Sequence, residues 1–215
     1  MTTPVSDLPS YKGKPVPWIT RWSGETSKDR FKYDIIRTSK GFSLVYPDGN
    51  ETREGDLLWQ REGLGRNGHP EFKNVSTYRQ RAAMRKCLCQ VCGKKILDRP
   101  IPWLVPVLDD SIEYVDADTP ITLQAPTCAE CIDLALQLCP HLKTNGYRIL
   151  KVLDYELWGV FGQVLAVQEG RPVKMQSAVS YDTAMYGEGF SLGQVLAQQE
   201  VAKLGKFVVE KEFRP

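Results

Sequence analysis

The chain has 215 residues, of which 42% are hydrophobic and 25% are charged, and its formal net charge is +2. This composition is typical of a globular protein and excludes a disordered one, and no apolar run reaches the roughly 20 residues that a membrane helix needs. Residues 1–14 lack the pattern of a secretion signal. We therefore expect a cytoplasmic protein without membrane contact, in which the six cysteines are metal ligands or free thiols.

The N-terminal third predicts an arm followed by strands. Residues 1–25 contain several prolines together with Trp18 and Trp22, which predicts an extended arm that packs on the body through its two indoles. A β-rich region follows over residues 26–76. Within it, apolar residues alternate with polar ones across 31–48, a pattern typical of two strands joined by a turn.

The middle of the chain, residues 77–145, contains both cysteine-rich segments and predicts a compact module. Local runs of helix formers and of strand formers, separated by turn residues, predict two helices and a β-hairpin there. In chain order these are a helix over residues 77–86 capped by Thr77, a β-hairpin of residues 101–108 and 112–123 turned at 109–111, and a helix over 129–138 ended by Pro140.

Two Cys-x-x-Cys steps carry the clearest chemistry. Cys89 and Cys92 form the first step, and Cys128 and Cys131 form the second at the predicted start of a helix. One tight turn presents two sulfurs to a single ion, and four thiolates suit tetrahedral Zn²⁺. The helix dipole favours the thiolate form at the second step. The spacing therefore predicts a structural zinc site with these four ligands.

The last third, residues 146–215, predicts a second β-rich region with one helix. Runs of β-branched and aromatic residues predict strands over 148–153, 157–168 and 173–179. Good helix formers predict a C-terminal helix over 191–204, capped by Ser191, and a last strand near 207–209. The predicted fold class is α+β, with a central zinc module, flanking antiparallel β regions and this C-terminal helix.

The order of turn, hairpin and helix-borne cysteine pair resembles the treble-clef class of zinc modules. Residues 53–142 are also similar to a group of uncharacterised bacterial proteins, mainly actinobacterial and some phage-like. The shared motifs are Arg-Gln-Arg-Ala-Ala-Met from Arg79, Leu-Cys-Gln-Val-Cys-Gly from Leu88, the second Cys-x-x-Cys, and Leu-Cys-Pro from Leu138. Both resemblances imply a zinc module, and neither implies a known activity.

A basic stretch precedes and includes the first cysteine step. Residues 61–95 carry nine Lys or Arg against two acids, and such a surface suits the phosphates of DNA or RNA. The cations placed on the predicted helix and knuckle are Arg79, Arg81, Arg85, Lys86, Lys94 and Lys95. We predict a non-enzymatic, zinc-stabilised protein that contacts nucleic acid through them.

Two alternatives remain open. The first is a protein-interaction or regulatory module, in which tryptophans and apolar C-terminal strands bind a partner or a second copy. The second is an enzyme with a site around Tyr155, Tyr181 and Asp182, although the sequence shows no known catalytic motif there. Cys139 and His141 lie near the end of the second predicted helix, too far along it to join the same ion.

Overall fold

The computed structural model is rich in strands and contains three α-helices among the residues it describes. Those residues are 8–25, 32–39, 41–49, 52–54, 57–63, 65–107, 112–114, 120–168, 171–182 and 195–215. The helices are α1 (Thr77–Lys86), α2 (Ala129–Leu138) and α3 (Pro140–Asn145). The strands are β1 (Ser10–Tyr11), β2 (Lys14–Pro15), β3 (Thr20–Trp22), β4 (Asp34–Thr38), β5 (Gly41–Val45), β6 (Arg53–Glu54), β7 (Leu57–Trp59), β8 (Pro70–Val75), β9 (Ile101–Pro106), β10 (Glu113–Tyr114), β11 (Pro120–Thr122), β12 (Tyr147–Val152), β13 (Tyr155–Gln168), β14 (Arg171–Ser180), β15 (Val195–Leu204) and β16 (Phe207–Phe213).

The chain divides into two compact units, each built from segments distant in sequence. Unit 1 comprises Met1–Arg21, His69–Leu157 and Val201–Pro215, and unit 2 comprises Trp22–Gly68 and Trp158–Glu200. The predicted module over 77–145 falls entirely in unit 1. The predicted β-rich regions over 26–76 and 146–215 each contribute residues to both units.

Unit 1 contains all three helices and an antiparallel sheet in the order β16-β12-β9. Its main core gathers residues from the arm, α1, β9, α2 and β12, with Trp103 and Leu150 fully buried. The Trp103 indole donates to the Gln124 carbonyl over 2.8 Å, so the large ring enters the core with its polar atom satisfied. This core encloses three of the four cysteines described below.

Unit 2 is made of strands whose apolar side chains form two clusters. One cluster centres on Trp59 and Val160, and the other on Leu44 and Leu58. β4 pairs with β5, β13 pairs with β14 over residues 159–168, and β7 runs parallel to β15 with Leu58 opposite Leu196. Burial of these apolar side chains between strands stabilises the unit.

Helices α1 and α2 have the bounds that the sequence predicts. α1 is capped by the hydroxyl of Ser76, which accepts from the Arg79 amide, one residue before the predicted cap. Pro140 separates α2 from α3, because it stands at the first position of a new helix and its ring fits that position. The arm is a small hairpin, β1 with β2, followed by β3.

The predicted hairpin of residues 101–108 and 112–123 is wrong. β9 pairs with β12, with Trp103 opposite Leu150. The segment predicted as its partner is divided between β10 and β11, which pair with each other, and β11 pairs with β15. All six residues of β9 are buried, so the strand needs apolar cover on both faces. The predicted turn at 109–111 lies outside the described residues.

The predicted C-terminal helix is also wrong. Residues 195–204 form strand β15, and the predicted cap, Ser191, lies outside the described residues. The segment is rich in Ala, Gln, Leu and Glu, which favours a helix when the local sequence is considered alone. Buried residues stand at both odd and even positions of β15, and such burial on two faces suits a strand inside a sheet.

Candidate metal centre

The first cysteine pair lies on a tight knuckle that follows α1 directly. Cys87 caps the carboxyl end of α1, with a left-handed backbone (φ of 52°) and an amide that donates to the Ala83 carbonyl. The chain then reverses, because the Gly93 amide donates to the Cys89 carbonyl over 2.7 Å and the Cys89 amide donates to the Lys94 carbonyl over 2.8 Å. Gly93 has φ of +74°, a conformation that suits glycine.

The second pair stands at the beginning of α2. Cys128 is the N-cap residue with an extended backbone, and Cys131 lies in the first turn, where its amide donates to the Cys128 carbonyl over 3.0 Å. Both sulfurs are therefore carried by the amino end of the helix, where the positive end of the dipole stabilises negative charge. This placement confirms the predicted start of the helix at the second step.

Gln90, between the first two cysteines, joins the knuckle to the segment before α2. Its amide donates to the Pro126 carbonyl over 2.9 Å, and its side-chain nitrogen donates to the Thr127 hydroxyl over 2.8 Å. Thr127 is fully buried and directly precedes Cys128. These two bonds hold the knuckle next to the residues that directly precede Cys128.

The four sulfurs of Cys89, Cys92, Cys128 and Cys131 converge. All four lie within 4.8 Å of one another, and the Cys92 and Cys128 sulfurs are 3.9 Å apart. A tetrahedral ion with metal–sulfur bonds of about 2.3 Å requires sulfurs about 3.8 Å apart. All six cysteines of the chain are free. The cluster therefore has the spacing of a four-thiolate metal site and not of disulfides.

The pKa of each cysteine thiol in the cluster depends on hydrogen bonds with the other cysteines. Hydrogen bonding from Cys128 lowers the pKa of Cys92 and of Cys89, and the backbone amide of Lys94 further lowers that of Cys92. Conversely, hydrogen bonding to its three neighbours raises the pKa of Cys128. Four thiolates in one buried site repel each other, and a divalent cation at their centre removes that penalty and allows all four to ionise.

The other sulfur and imidazole candidates lie outside this cluster. Among the described residues, the group close enough to share an ion contains only the four cysteines named above. Cys139 packs at the edge of a small apolar cluster around Ile132 and Leu142. His141 is exposed, and its ring is hydrogen bonded to the Asn145 side-chain amide. These positions agree with their exclusion from the predicted ligand set.

The predicted basic residues have different environments. Arg85, Lys86, Lys94 and Lys95 are exposed and Arg81 is half-buried. Arg79 is only 7% exposed, and its guanidinium donates to the Thr20 carbonyl over 2.8 Å. Including Arg79 in a phosphate-binding surface is therefore wrong, because its guanidinium is directed at the backbone of β3. The remaining five residues form what we call the basic surface.

Two residues near the cysteines have roles that the sequence alone does not show. Trp18 packs on the knuckle, where a methyl group added at Gly93 would lie 2.7 Å from the indole ring, and its amide donates to the Val91 carbonyl. The sequence predicts packing of this indole but not its target. The role of Gln90 has no signal in the sequence, since its partners are more than thirty residues away.

Two of the three residues considered for an enzyme site, Tyr155 and Tyr181, bind other parts of the fold, and the third, Asp182, is exposed. The Tyr155 hydroxyl donates to the Met84 carbonyl, and its ring meets Trp103 edge-on with centroids 5.1 Å apart. Burial raises the pKa of Tyr155. In unit 2, the Tyr181 hydroxyl donates to the buried Glu200 carboxylate.

No family model, curated protein or solved structure matches the chain. In the part of the chain that the structure describes, no helix is long and apolar enough to cross a bilayer.

Proposed function

We propose that the chain is a non-enzymatic binding protein whose four-cysteine cluster holds structural zinc and whose basic surface contacts nucleic acid. Four sulfurs at tetrahedral spacing suit Zn²⁺, since structural zinc sites are closed four-coordinate sites. The treble-clef resemblance of the sequence supports the same ion. A reducing compartment such as the cytoplasm would keep the sulfurs available as ligands.

One observation carries the nucleic-acid proposal: exposed cations flank the metal centre on both sides of the knuckle. Arg85 and Lys86 are exposed at the end of α1, and Lys94 and Lys95 are exposed just after Cys92. The backbone of Lys94 and Lys95 is held by the knuckle, because the Lys94 carbonyl accepts from the Cys89 amide and Lys95 forms a β-bridge with Leu88. The metal would therefore hold these cations in place.

The charge around the knuckle is strongly asymmetric. Residues 76–107 contain seven Lys or Arg and one acid, Asp98. Neutralising phosphates with such a surface releases counterions, so the affinity falls as salt rises. Arg85 and Lys86 also complement the negative end of the α1 dipole, and this local effect does not require a nucleic acid. Binding measurements separate the two roles.

The test is titration of DNA and RNA over a salt series with purified zinc-loaded protein. We expect binding at low salt, with the logarithm of the association constant falling linearly with the logarithm of the salt concentration. Each lost phosphate contact should make that slope shallower by roughly 0.7 to 0.9. The double variant Arg85→Glu and Lys86→Glu should lose most of the affinity and keep its zinc content. Its melting temperature should fall only slightly, because acidic side chains at the carboxyl end of α1 oppose the helix dipole.

A matched control reverses two exposed lysines elsewhere in unit 1, Lys143 and Lys206. Lys143→Glu with Lys206→Glu changes the net charge equally, so it should retain binding if the effect is local. Equal losses of affinity in the two double variants would mean that binding depends on net charge and not on the basic surface. Absence of binding at low salt would reject the nucleic-acid proposal outright.

A second candidate, a protein-interaction module, is favoured by strand β16. In the described sheet β16 pairs only with β12, and Val208 and Val209 are 67% and 44% exposed on it. Unpaired strand edges with apolar side chains can accept another strand. Three of the five tryptophans, Trp22, Trp59 and Trp103, are buried and do not support this candidate.

Light scattering after size exclusion tests the second candidate. A second copy on β16 would give a dimer that Val208→Lys converts to a monomer, because a lysine on an edge strand opposes pairing. A monomer at all concentrations, with no change in the variant, would remove self-association by this strand.

A further inference from the structure

We propose that the outward face of α1 binds single-stranded nucleic acid by stacking an unpaired base on Tyr78, an inference that rests on the proposed function. Tyr78 is 61% exposed, although the hydrophobic effect favours burial of an aromatic ring. Ring faces left in solvent beside cations are the feature by which proteins bind unpaired bases.

The helix places Tyr78 in line with the basic surface. The residues of α1 that are not buried are Tyr78, Arg81, Ala82, Arg85 and Lys86. Their spacing of three, four, seven and eight from Tyr78 puts them on one side of the helix. The buried residues of α1, among them Gln80 and Met84, occupy the opposite side.

The chemistry of this face suits a polyanion with accessible bases. The helix contains no acid, so nothing on α1 itself repels phosphate. Ala82 is small and leaves room for a chain to lie close to the helix. Tyr78 and Arg85 are seven residues apart, or about 10 Å along the axis, so a ring and a cation can engage different nucleotides of one strand.

The same geometry disfavours reading of a duplex by α1. Helices that read a duplex present their amino-terminal residues to base edges in the major groove. The amino end of α1 is inside unit 1, since Ser76 is 1% and Thr77 is 6% exposed. Only the side of the helix and its carboxyl end are accessible, and stacking on Tyr78 requires a base that is not paired.

The experiment compares a fluorescein-labelled oligothymidylate with a duplex of equal length by fluorescence anisotropy. We expect the single strand to bind more tightly than the duplex. Tyr78→Ala should weaken oligothymidylate binding roughly 5-fold to 150-fold, the range for losing one stacked base. Tyr78→Phe should bind like the parent, because the ring remains. The salt slope should be unchanged in Tyr78→Ala and reduced by about 0.7 in Arg85→Gln.

Phe72 provides a matched control. It is equally exposed at 61%, but it lies on β8 next to Glu71, which is paired with Arg21. Phe72→Ala should therefore retain full affinity. Zinc content should match the parent in every variant and melting temperature should change little, since none of the changed side chains is buried.

The outcomes separate this inference from the proposed function. If Tyr78→Ala binds like the parent while the Arg85 and Lys86 double variant does not, stacking is rejected and the basic surface stands. Tighter binding of the duplex, or an equal loss in Phe72→Ala, also rejects stacking on Tyr78. If the parent binds neither probe at low salt, both proposals fail together.

Discussion

Units 1 and 2 bury similar side chains but differ in what holds their segments together. The core of unit 1 contains Cys89, Cys128 and Cys131 among aliphatic and aromatic residues. The clusters of unit 2 are made of strand residues such as Leu58 and Val160, and among the described residues the potential metal ligands cluster in unit 1 alone. The stability of unit 1 should therefore depend on an ion, and that of unit 2 on apolar area.

Removing the metal should have the largest effect, and this effect should be larger in unit 1 than in unit 2. Structural zinc contributes about 10–16 kcal/mol of apparent binding energy in zinc-finger peptides. We therefore expect a strong chelator, or Cys131→Ser, to abolish hydrogen-exchange protection in β9 and β12 of unit 1, with a smaller loss in β7 of unit 2. Hydrogen exchange with mass spectrometry measures both.

Cys139→Ser is the control for metal removal, because this cysteine lies outside the cluster. Its zinc content and protection should match the parent. Unchanged melting after confirmed removal of the metal would contradict the structural role of the ion.

Truncating a core side chain in unit 2 should lower stability without changing zinc affinity. Leu58 is fully buried, and replacing a buried leucine by alanine costs about 2–5 kcal/mol. We expect Leu58→Ala to lower the free energy of unfolding, measured with urea, and to leave zinc affinity unchanged. Ile36→Ala in the same unit, at a side chain that is 43% exposed, should cost far less. A loss of zinc affinity in Leu58→Ala would contradict the separation of the two units.

A backbone change at the knuckle should sharpen the comparison within unit 1. Gly93→Ala meets two obstacles, a φ of +74° and the Trp18 ring 2.7 Å from the new methyl group. We expect a loss of about 1–3 kcal/mol together with weaker zinc affinity in competition with a chelator. Gly49→Ala has a similar φ, of +66°, but no atom within 4 Å. It should destabilise less and should leave zinc affinity unchanged.

The smallest effect concerns an ion pair of unit 1 that is independent of the metal. Burial alone would raise the pKa of Glu71, but the hydrogen bond and charge of Arg21, 2.7 Å away, leave it below its usual 4.5. The pair therefore stabilises the fold above pH 4.5, and this contribution is lost as pH falls through the lowered pKa. Glu71→Gln should cost less than about 1 kcal/mol at neutral pH.

The measurement for Glu71 is a urea titration at several pH values. The difference between Glu71→Gln and the parent should shrink as the pH falls below 4.5, because protonation removes the same charge. A difference that does not change with pH would mean that the carboxylate contributes through packing.

The sequence was sufficient where a residue's role depends on its near neighbours. The spacing of Cys89 and Cys92, and of Cys128 and Cys131, is a local property, and the four sulfurs converge as that spacing predicts. The bounds of α1 and α2 follow from local helix signals in the same way. Pairing of distant strands has no comparable local signal, and this is why the predicted partner of β9 was wrong.

Composition and local pattern by themselves determined the α+β class, the two cysteine pairs that could hold a metal ion, two helices and several strands. Each pair, helix and strand is specified by residues close together in the chain. Tertiary structure alone decided that residues 195–204 form a strand, that Arg79 is buried, and that Gln90 joins the two halves of the metal centre. In each case the deciding contacts come from residues far away in the chain. Burial between such segments outweighs a helix propensity of a few tenths of a kcal/mol per residue.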